Sequence, residues 1–331
     1  MAATPESLSE SLNTLYSTTW QLMRDQSVDN IFTATPFWYW LYSKGRIRRE
    51  MGGRWIGIQL LYAKNSTVAS LGPGGTVDIT NANTLTTAKY DWKYLAGSVV
   101  RLFSEDTENR GRSQIQNLAE SKLKNLELAL IDTLESQSLA LGTASANDLV
   151  GLQSIVKNDP TTNPADPPGN IGGIDAATNT YWRNQTRTWS TAGMSAGDAD
   201  IAFNMRKLYN LCSVGNDHPT LGLTEDTQYE RYEASLTNIL RIVDKDMGDV
   251  GFEALRYKGM ALAWSPSAPA NELRMLNERY LEFVIESSAD FHMTSWKGIP
   301  NQLDRVAQIV VKGALVTSNR RMQGVLITMP D

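Results

Sequence analysis

Apolar and polar positions change their period several times along the chain, and each change marks an element. Near the start Leu8, Leu12, Leu15, Thr19 and Leu22 recur at helical spacing, with Tyr16, Trp20 and Met23 widening the stripe. Thr4 as N-cap and Pro5 at the first helical position, where a missing N–H costs nothing, complete a short amphipathic helix. Phe37, Trp38, Tyr39, Trp40 and Tyr42 then crowd into one short stretch, too many rings for a single core to face. They predict either a buried strand or helix turn, or an arm lying across a neighbouring chain.

Residues 55–62, Trp-Ile-Gly-Ile-Gln-Leu-Leu-Tyr, read as a strand, after which 63–87 is polar and turns at Gly72-Pro73-Gly74-Gly75. The return alternates: Ala88, Tyr90, Trp92 and Tyr94 on one face, Lys89, Asp91 and Lys93 on the other. The pattern predicts a long hairpin. A strand from Ala88 to Phe103 would reach on the order of 50 Å at roughly 3.3 Å per residue, more than the width of a small domain. Such a two-stranded ribbon is marginal alone and offers unpaired edges, so its aromatic face is expected to pack on another subunit. On that reading Trp92→Ala impairs assembly more than it lowers the stability of the isolated subunit.

Helical period returns with Ile115, Leu118, Leu123, Leu126, Leu130, Ile131 and Leu134, predicting a rod from about Arg112 to Leu141, stopped by Gly142. Pro160, Pro164, Pro167 and Pro168 mark a loop or domain junction over 159–173. Helices follow from Asp198, carrying Ile201, Met205, Leu208 and Leu211, and from Glu225 to Leu240 behind Thr224 as N-cap. Strands are expected at 256–263, 280–285, 306–315 and 323–328. The order is mixed α+β, without regular strand–helix alternation.

A chain of 331 residues, 41% of them hydrophobic, can bury a sizeable core. It holds no run of eighteen apolar residues and its N-terminus lacks a basic and an apolar signal region, so no membrane partner or secretion is expected. Cys212 is the only cysteine, which excludes an intrachain disulfide. The formal net charge of −5 has the wrong sign for a dedicated nucleic-acid binder.

Chemistry is sparse. His218 and His292 are the only histidines, neither in metal-ligand spacing, and no phosphate-binding glycine loop occurs. Asp244, Asp246 and Asp249 fail the calcium-loop pattern because Asp249 stands where Gly is needed and Leu255 where Glu is needed. Glu278, Glu282 and Glu286 share a face and keep a carboxylate-dependent hydrolase open as an alternative, although a solvated or intersubunit charge face is the favoured reading. Lys44, Arg46, Arg48, Arg49 and Arg54 form a basic cluster opposed locally by Glu50 alone. It suits either packaged nucleic acid or acidic faces of adjacent subunits, Glu105, Asp106 and Glu108 being candidates; the second is favoured. No catalytic residue, cofactor or metal site is expected.

Several stretches resemble tailed-bacteriophage major capsid proteins of the Hong Kong 97 (HK97-like) fold. Trp92-Lys93-Tyr94-Leu95-Ala96-Gly97, then Asn109-Arg110-Gly111, resembles the segment joining that family's extended loop to its spine helix. The run Gly172 to Gln185, GGIDAATNTYWRNQ, and Glu230-Arg231-Tyr232 are similar to parts of its axial domain, and SNRRMQGVLI from Ser318 to Ile327 to its ending. The similarity spans nearly the whole chain, and its specificity lies in the order of the segments.

The resemblance implies an α+β fold with an N-terminal arm (1–50) and an extended β-hairpin loop (51–97). It also implies a peripheral domain on a long spine helix (98–148 and 275–302) and an axial domain (149–274 and 303–331). It implies no enzyme but a virion capsid subunit, assembled in the host cytoplasm through hexamers and pentamers into an icosahedral shell around double-stranded DNA. An encapsulin-type nanocompartment of the same fold is the close alternative. Interface candidates are Arg46, Arg48, Arg49, Arg54, Trp55, Gly72, Pro73, Gly74, Tyr90, Trp92, Tyr94, Glu105, Asp106 and Glu108. Portal and decoration proteins are expected partners. With only about fifty residues before the loop, scaffolding is expected from a separate protein. Some family members form Lys–Asn links; Lys64, Lys89 and Lys93 lie in or near the loop, but no acceptor is identifiable and crosslinking is not expected.

Overall fold

A computed structural model describes residues 36–81, 83–104, 118–141, 147–161, 170–194, 200–236 and 255–329. The helix expected before Met23 and the acidic residues Glu105, Asp106 and Glu108 lie outside them, as do 237–240 of the helix expected to reach Leu240.

The chain divides into two compact units. The larger begins with α1 (Pro36–Ser43), so the aromatic cluster is helical. Phe37, Trp40 and Leu41 are buried on its inner face and Tyr42 points to solvent. Strand β1 (Ile47–Glu50) follows, then the ribbon pair β2 (Trp55–Leu61) and β3 (Leu85–Asp91). β2 and β3 are antiparallel, with Trp55 opposite Asp91 and Leu61 opposite Leu85.

The single strand expected from Ala88 to Phe103 is two strands, because β4 (Lys93–Arg101) starts anew after Trp92. β3 stays with β2, whereas β4 pairs with another sheet. At the break the Trp92 indole turns inward and its Nε1 donates to the Gly53 carbonyl at 3.1 Å. Gly52 and Gly53, with φ of +69° and +92°, break the opposite strand at the same level, in a region where L side chains are disfavoured. No uninterrupted 50 Å strand therefore forms.

Most of β4 and the first part of α2 (Leu118–Leu139) belong to the smaller unit, which gathers described residues of Leu95–Asp132 and Phe291–Val311. There α2 crosses β4 at Gly97, where any Cβ would collide with Leu126. The Phe103 N–H donates to Asp304 Oδ1 at 2.9 Å.

Beyond α2 the larger unit continues with the helical turn α3 (Leu152–Ile155) and a 3-10 turn at Ile171–Gly173. It adds β5 (Gln185–Thr188), α4 (Asp200–Cys212), β6 (Leu221–Thr224) and α5 (Asp226–Ser235). Glu225, not Thr224, caps α5; Thr224 ends β6 and its Oγ1 donates to the Glu272 carbonyl at 2.9 Å. The strand expected over 256–263 is a hairpin, β7 (Leu255–Tyr257) and β8 (Met260–Trp264). Lys258 and Gly259 both have positive φ, the requirement of a two-residue turn matched to strand twist.

Strands β9 (Leu273–Leu276) and β10 (Leu281–Glu286) come next. Two-residue strands β11 (His292–Met293) and β12 (Lys297–Gly298) precede the long β13 (Arg305–Thr317), and β14 (Gly324–Ile327) closes the chain. One sheet runs β5-β14-β9-β6-β8-β7, and α4 and α5 cover it through Met205, Leu208, Tyr229 and Tyr232 against Met260, Leu262, Met275 and Leu326. In the larger unit the other sheet holds β1 parallel to β10, and β10 antiparallel to the end of β13. The smaller unit has β11 and β12 antiparallel to the beginning of β13. The result is mixed α+β.

Candidate assembly surface

The ribbon has two unlike faces and two unlike ends. Ile56, Leu60, Ala88 and Tyr90 alternate inward and are buried, while Trp55, Leu61, Leu85 and Lys89 alternate outward. The inner face is covered by this same chain. Ala88 packs at the Ile171–Gly173 turn so closely that a Cβ on Gly172 would meet it at 2.8 Å. The Tyr90 hydroxyl donates to the Thr317 carbonyl at 2.6 Å. Lys312 Nζ lies 5.0 Å from the Trp92 ring centroid, and Trp92 is only 9% exposed. This corrects the expectation that the aromatic face meets a neighbour: Tyr90 and Trp92 complete their own molecule's core, and Tyr94 alone of that series is turned out, at 63% exposure.

The far end is different. Among the described residues between Tyr62 and Asn83 none is paired in a strand, and local hydrogen bonds shape the chain: Asn65 Oδ1 accepts from Thr67, Asp78 Oδ1 from Thr80. Gly72-Pro73-Gly74-Gly75 forms a turn in which the Gly75 N–H donates to the Gly72 carbonyl at 3.0 Å. Pro73 fixes the first central φ and Gly74 supplies the positive second one, +81°, the pairing a type II turn demands. Around this turn Val68, Leu71, Val77 and Ile79 are exposed, Ile79 at 95%, with Leu61 and Leu85 beneath them. Scattered apolar side chains on a surface are ordinary, but four in one loop and two at the strand ends that lead into it are a concentration that water solvates poorly. Sequence reasoning missed these residues because the polar neighbours of 63–87 dilute them below any period.

The outward face of the ribbon carries charge on aromatic surface. Trp55, 46% exposed, has the Lys89 Nζ 5.0 Å and the Arg54 guanidinium 5.9 Å from its centroid. Cations over an indole face are attracted to its π-electrons, which holds both of them over the exposed ring.

The basic cluster and the glutamate series, two separate features of the sequence, meet each other. β1 lies parallel to β10, and Arg46 and Arg48 reach Glu282 at 3.7 and 3.5 Å. Lys44 lies 3.8 Å from Glu278, Arg48 3.1 Å from Glu50, and Arg49 2.7 Å from Asp290. The expectation that these cations face adjacent subunits or nucleic acid is therefore corrected in part: Arg46, Arg48 and Arg49 have anionic partners in their own chain. Matched spacing on two strands was the available signal, but only the parallel pairing reveals it.

For hydrolysis a general acid needs a raised carboxyl pKa. Glu286 moves the other way, its carboxylate favoured first by the Ser288 hydroxyl. His218 stacks on Tyr209 at 5.9 Å, and burial pushes the Cys212 thiol up to about 12, where it is unreactive. No cluster of three metal-ligating side chains occurs among the described residues, nor a helix long and apolar enough to cross a membrane.

No protein-family model matches the chain, and no curated protein matches it. Solved structures do. The capsid asymmetric unit of cyanophage A-1(L) aligns with a TM-score of 0.62 at 15% identity, over 93% of this chain and 96% of that one. The holo-SrpI encapsulin complex from Synechococcus elongatus PCC 7942 gives 0.58 at 11% identity over 94% of each chain. The capsid of Myoviridae phage XM1 gives 0.56 at 10% identity over 92% of this chain and 95% of that one. With agreement along nine tenths of both partners in each case, the chain has the fold of these capsid and encapsulin proteins, the HK97-like architecture that its sequence resembles.

Proposed function

We propose that this chain is the major capsid protein of a tailed phage, a shell subunit that closes through hexamers and pentamers around double-stranded DNA. The observation that carries this reading is the loop tip, whose apolar side chains are exposed among the described residues although the inner face of its base is buried. A patch of that kind is stable in water when other copies cover it. On this reading the ribbon is the extended loop, the unit holding the start of α2 is peripheral, and the sheet covered by α4 and α5 is axial. Contacts then come from Gly72, Pro73, Gly74 and the apolar tip, with Arg54, Trp55 and Tyr94 on the outward face. Tyr90 and Trp92 hold the ribbon for them. A separate scaffolding protein, a portal and decoration proteins are the expected partners, and DNA is touched without sequence preference.

Electron microscopy and sedimentation of the purified full chain test the reading: closed shells of megadalton mass are expected, and a small soluble oligomer at every concentration would sink it. The encapsulin likeness supports a second reading, a shell around a protein cargo. Particles that copurify with one protein and no nuclease-protected DNA would favour it.

A further inference from the structure

In the larger unit two short connections join the sheet of β10 and β13 to the sheet of β9 and β14. β9 leads to β10 through 277–280 and β13 leads to β14 through 318–323. The two crossings are bonded side by side. The Asn277 N–H donates to Gln323 Oε1 at 2.8 Å, and Gln323 Nε2 returns a bond to the Asn277 carbonyl at 3.1 Å. The Ser318 N–H and Thr317 Oγ1 both donate to the Tyr280 carbonyl, at 3.0 and 2.9 Å. Asn277, Thr317 and Gln323 are buried, as is Arg320, which donates to the Ile155 carbonyl at 2.7 Å and Asn184 Oδ1 at 3.3 Å. Asn184 continues the set by bonding the Lys157 backbone in both directions. Polar groups so deep are tolerated only while paired, so the crossing is stable as a whole or not at all.

The ribbon enters this set through one atom. The inner-face side chains of Ile56, Leu60 and Ala88 are apolar and buried, and so hold the ribbon without a hydrogen bond to the crossing. The Tyr90 hydroxyl does something more: it donates to the Thr317 carbonyl at 2.6 Å and accepts from the Thr317 N–H at 3.3 Å. Both main-chain groups of one crossing residue therefore depend on a side chain 227 positions away. Burial raises the phenol pKa, so the proton needed for the short bond is retained at any ordinary pH. If the ribbon lifts, Thr317 is left with a buried carbonyl and N–H stripped of that partner, which costs far more than the bond itself contributes.

We propose that Tyr90 is a positioning residue coupling the ribbon to the sheet crossing, so that residues 85–92 and 317–323 open and close as one cooperative unit. A pull or a contact at the ribbon then reaches the second sheet through a defined bond. Where the chain acts as a shell subunit, this gives a neighbour's grip on the loop a route into the sheet covered by α4 and α5. The coupling itself is a property of one chain and holds whether or not shells form.

Hydrogen exchange on the full chain tests it. Ile56 lies opposite Tyr90 within the ribbon, and Ile56→Val loosens the ribbon while removing no hydrogen bond of the crossing. In the wild-type background Ile56→Val is expected to raise exchange about fivefold in 85–92 and in 317–323 together. With Tyr90→Phe also present, the same change is expected to raise exchange in 85–92 alone. An unchanged 317–323 in the first background would overturn the proposal, as would an equal rise there in both backgrounds, since transmission would then bypass the hydroxyl. Should Tyr90→Phe fail to fold, the first background decides alone. Absence of shells would leave this result intact and bear only on the capsid reading.

Discussion

The base and the tip of one ribbon obey opposite rules. At the base every large side chain of the inner face finds its cover within the same chain, and the polar atoms, Tyr90 and Trp92 included, find acceptors there. At the tip the chain satisfies its backbone by short local bonds and leaves its apolar side chains to solvent. The base is buried and paired within the chain, and the tip is exposed. What separates them is burial, because composition alone would have ranked the aromatic base as the stickier end.

The contrast is sharpest at Trp92. Its replacement by Ala should lower folding stability by about 3–5 kcal/mol, the usual cost of truncating a buried aromatic side chain, read from urea unfolding of the subunit. A loss under about 1 kcal/mol with abolished assembly would mean that the tryptophan serves a neighbour after all. An intermediate effect is expected at Asp217, whose carboxyl is held below the usual range by the Tyr280 hydroxyl first, then by Asn277 and Arg279. A depressed carboxylate stabilises the fold above its unfolded pKa and loses that contribution as pH falls through the folded value. Asp217→Asn should therefore lower Tm near neutrality and flatten the decline below about pH 4; a parallel acid limb in mutant and wild type would contradict this.

Smaller still is the expected effect of Glu282→Gln. The pair is partly exposed, so the loss should be about 0.5 kcal/mol or less in thermal unfolding. On the capsid reading, contact with duplex DNA should become more salt-sensitive as Arg46 loses its anionic partner. Least of all should Leu71, Val77 and Ile79 matter to folding. Changing all three to Ser should leave unfolding within about 0.5 kcal/mol of wild type while particle yield collapses. Normal particles from that variant would show that the tip is an ordinary solvated loop.

Much of the fold was legible because period survives packing. The strands near 281–286, 305–317 and 324–327 and the helices at Leu118–Leu139 and Asp200–Cys212 all stand where alternation or helical spacing puts them. The failures share a cause. The break at Trp92 keeps the alternation of its neighbours, so nothing in the pattern shows that β3 and β4 take different partners. The Lys258-Gly259 turn is hidden because Lys at positive φ carries no sequence signal. Pairing of Arg46 and Arg48 with Glu282 joins residues more than two hundred positions apart, and only strand pairing can bring them together. Of the residues that the sequence offers for a surface, Trp55 and Tyr94 are exposed and Tyr90 and Trp92 are buried, whereas the apolar tip residues escaped notice among their polar neighbours.

The Pro73-Gly74 turn carries one more implication. A loop that must bind while wandering freely forfeits much of its affinity to ordering, and the fixed φ of Pro73, about halfway between β2 and β3, curbs that wandering beforehand. Stiffness at this single bend would let a modest contact persist, and on the capsid reading a glycine in place of Pro73 would loosen the grip of one copy on the next with the apolar tip side chains unchanged.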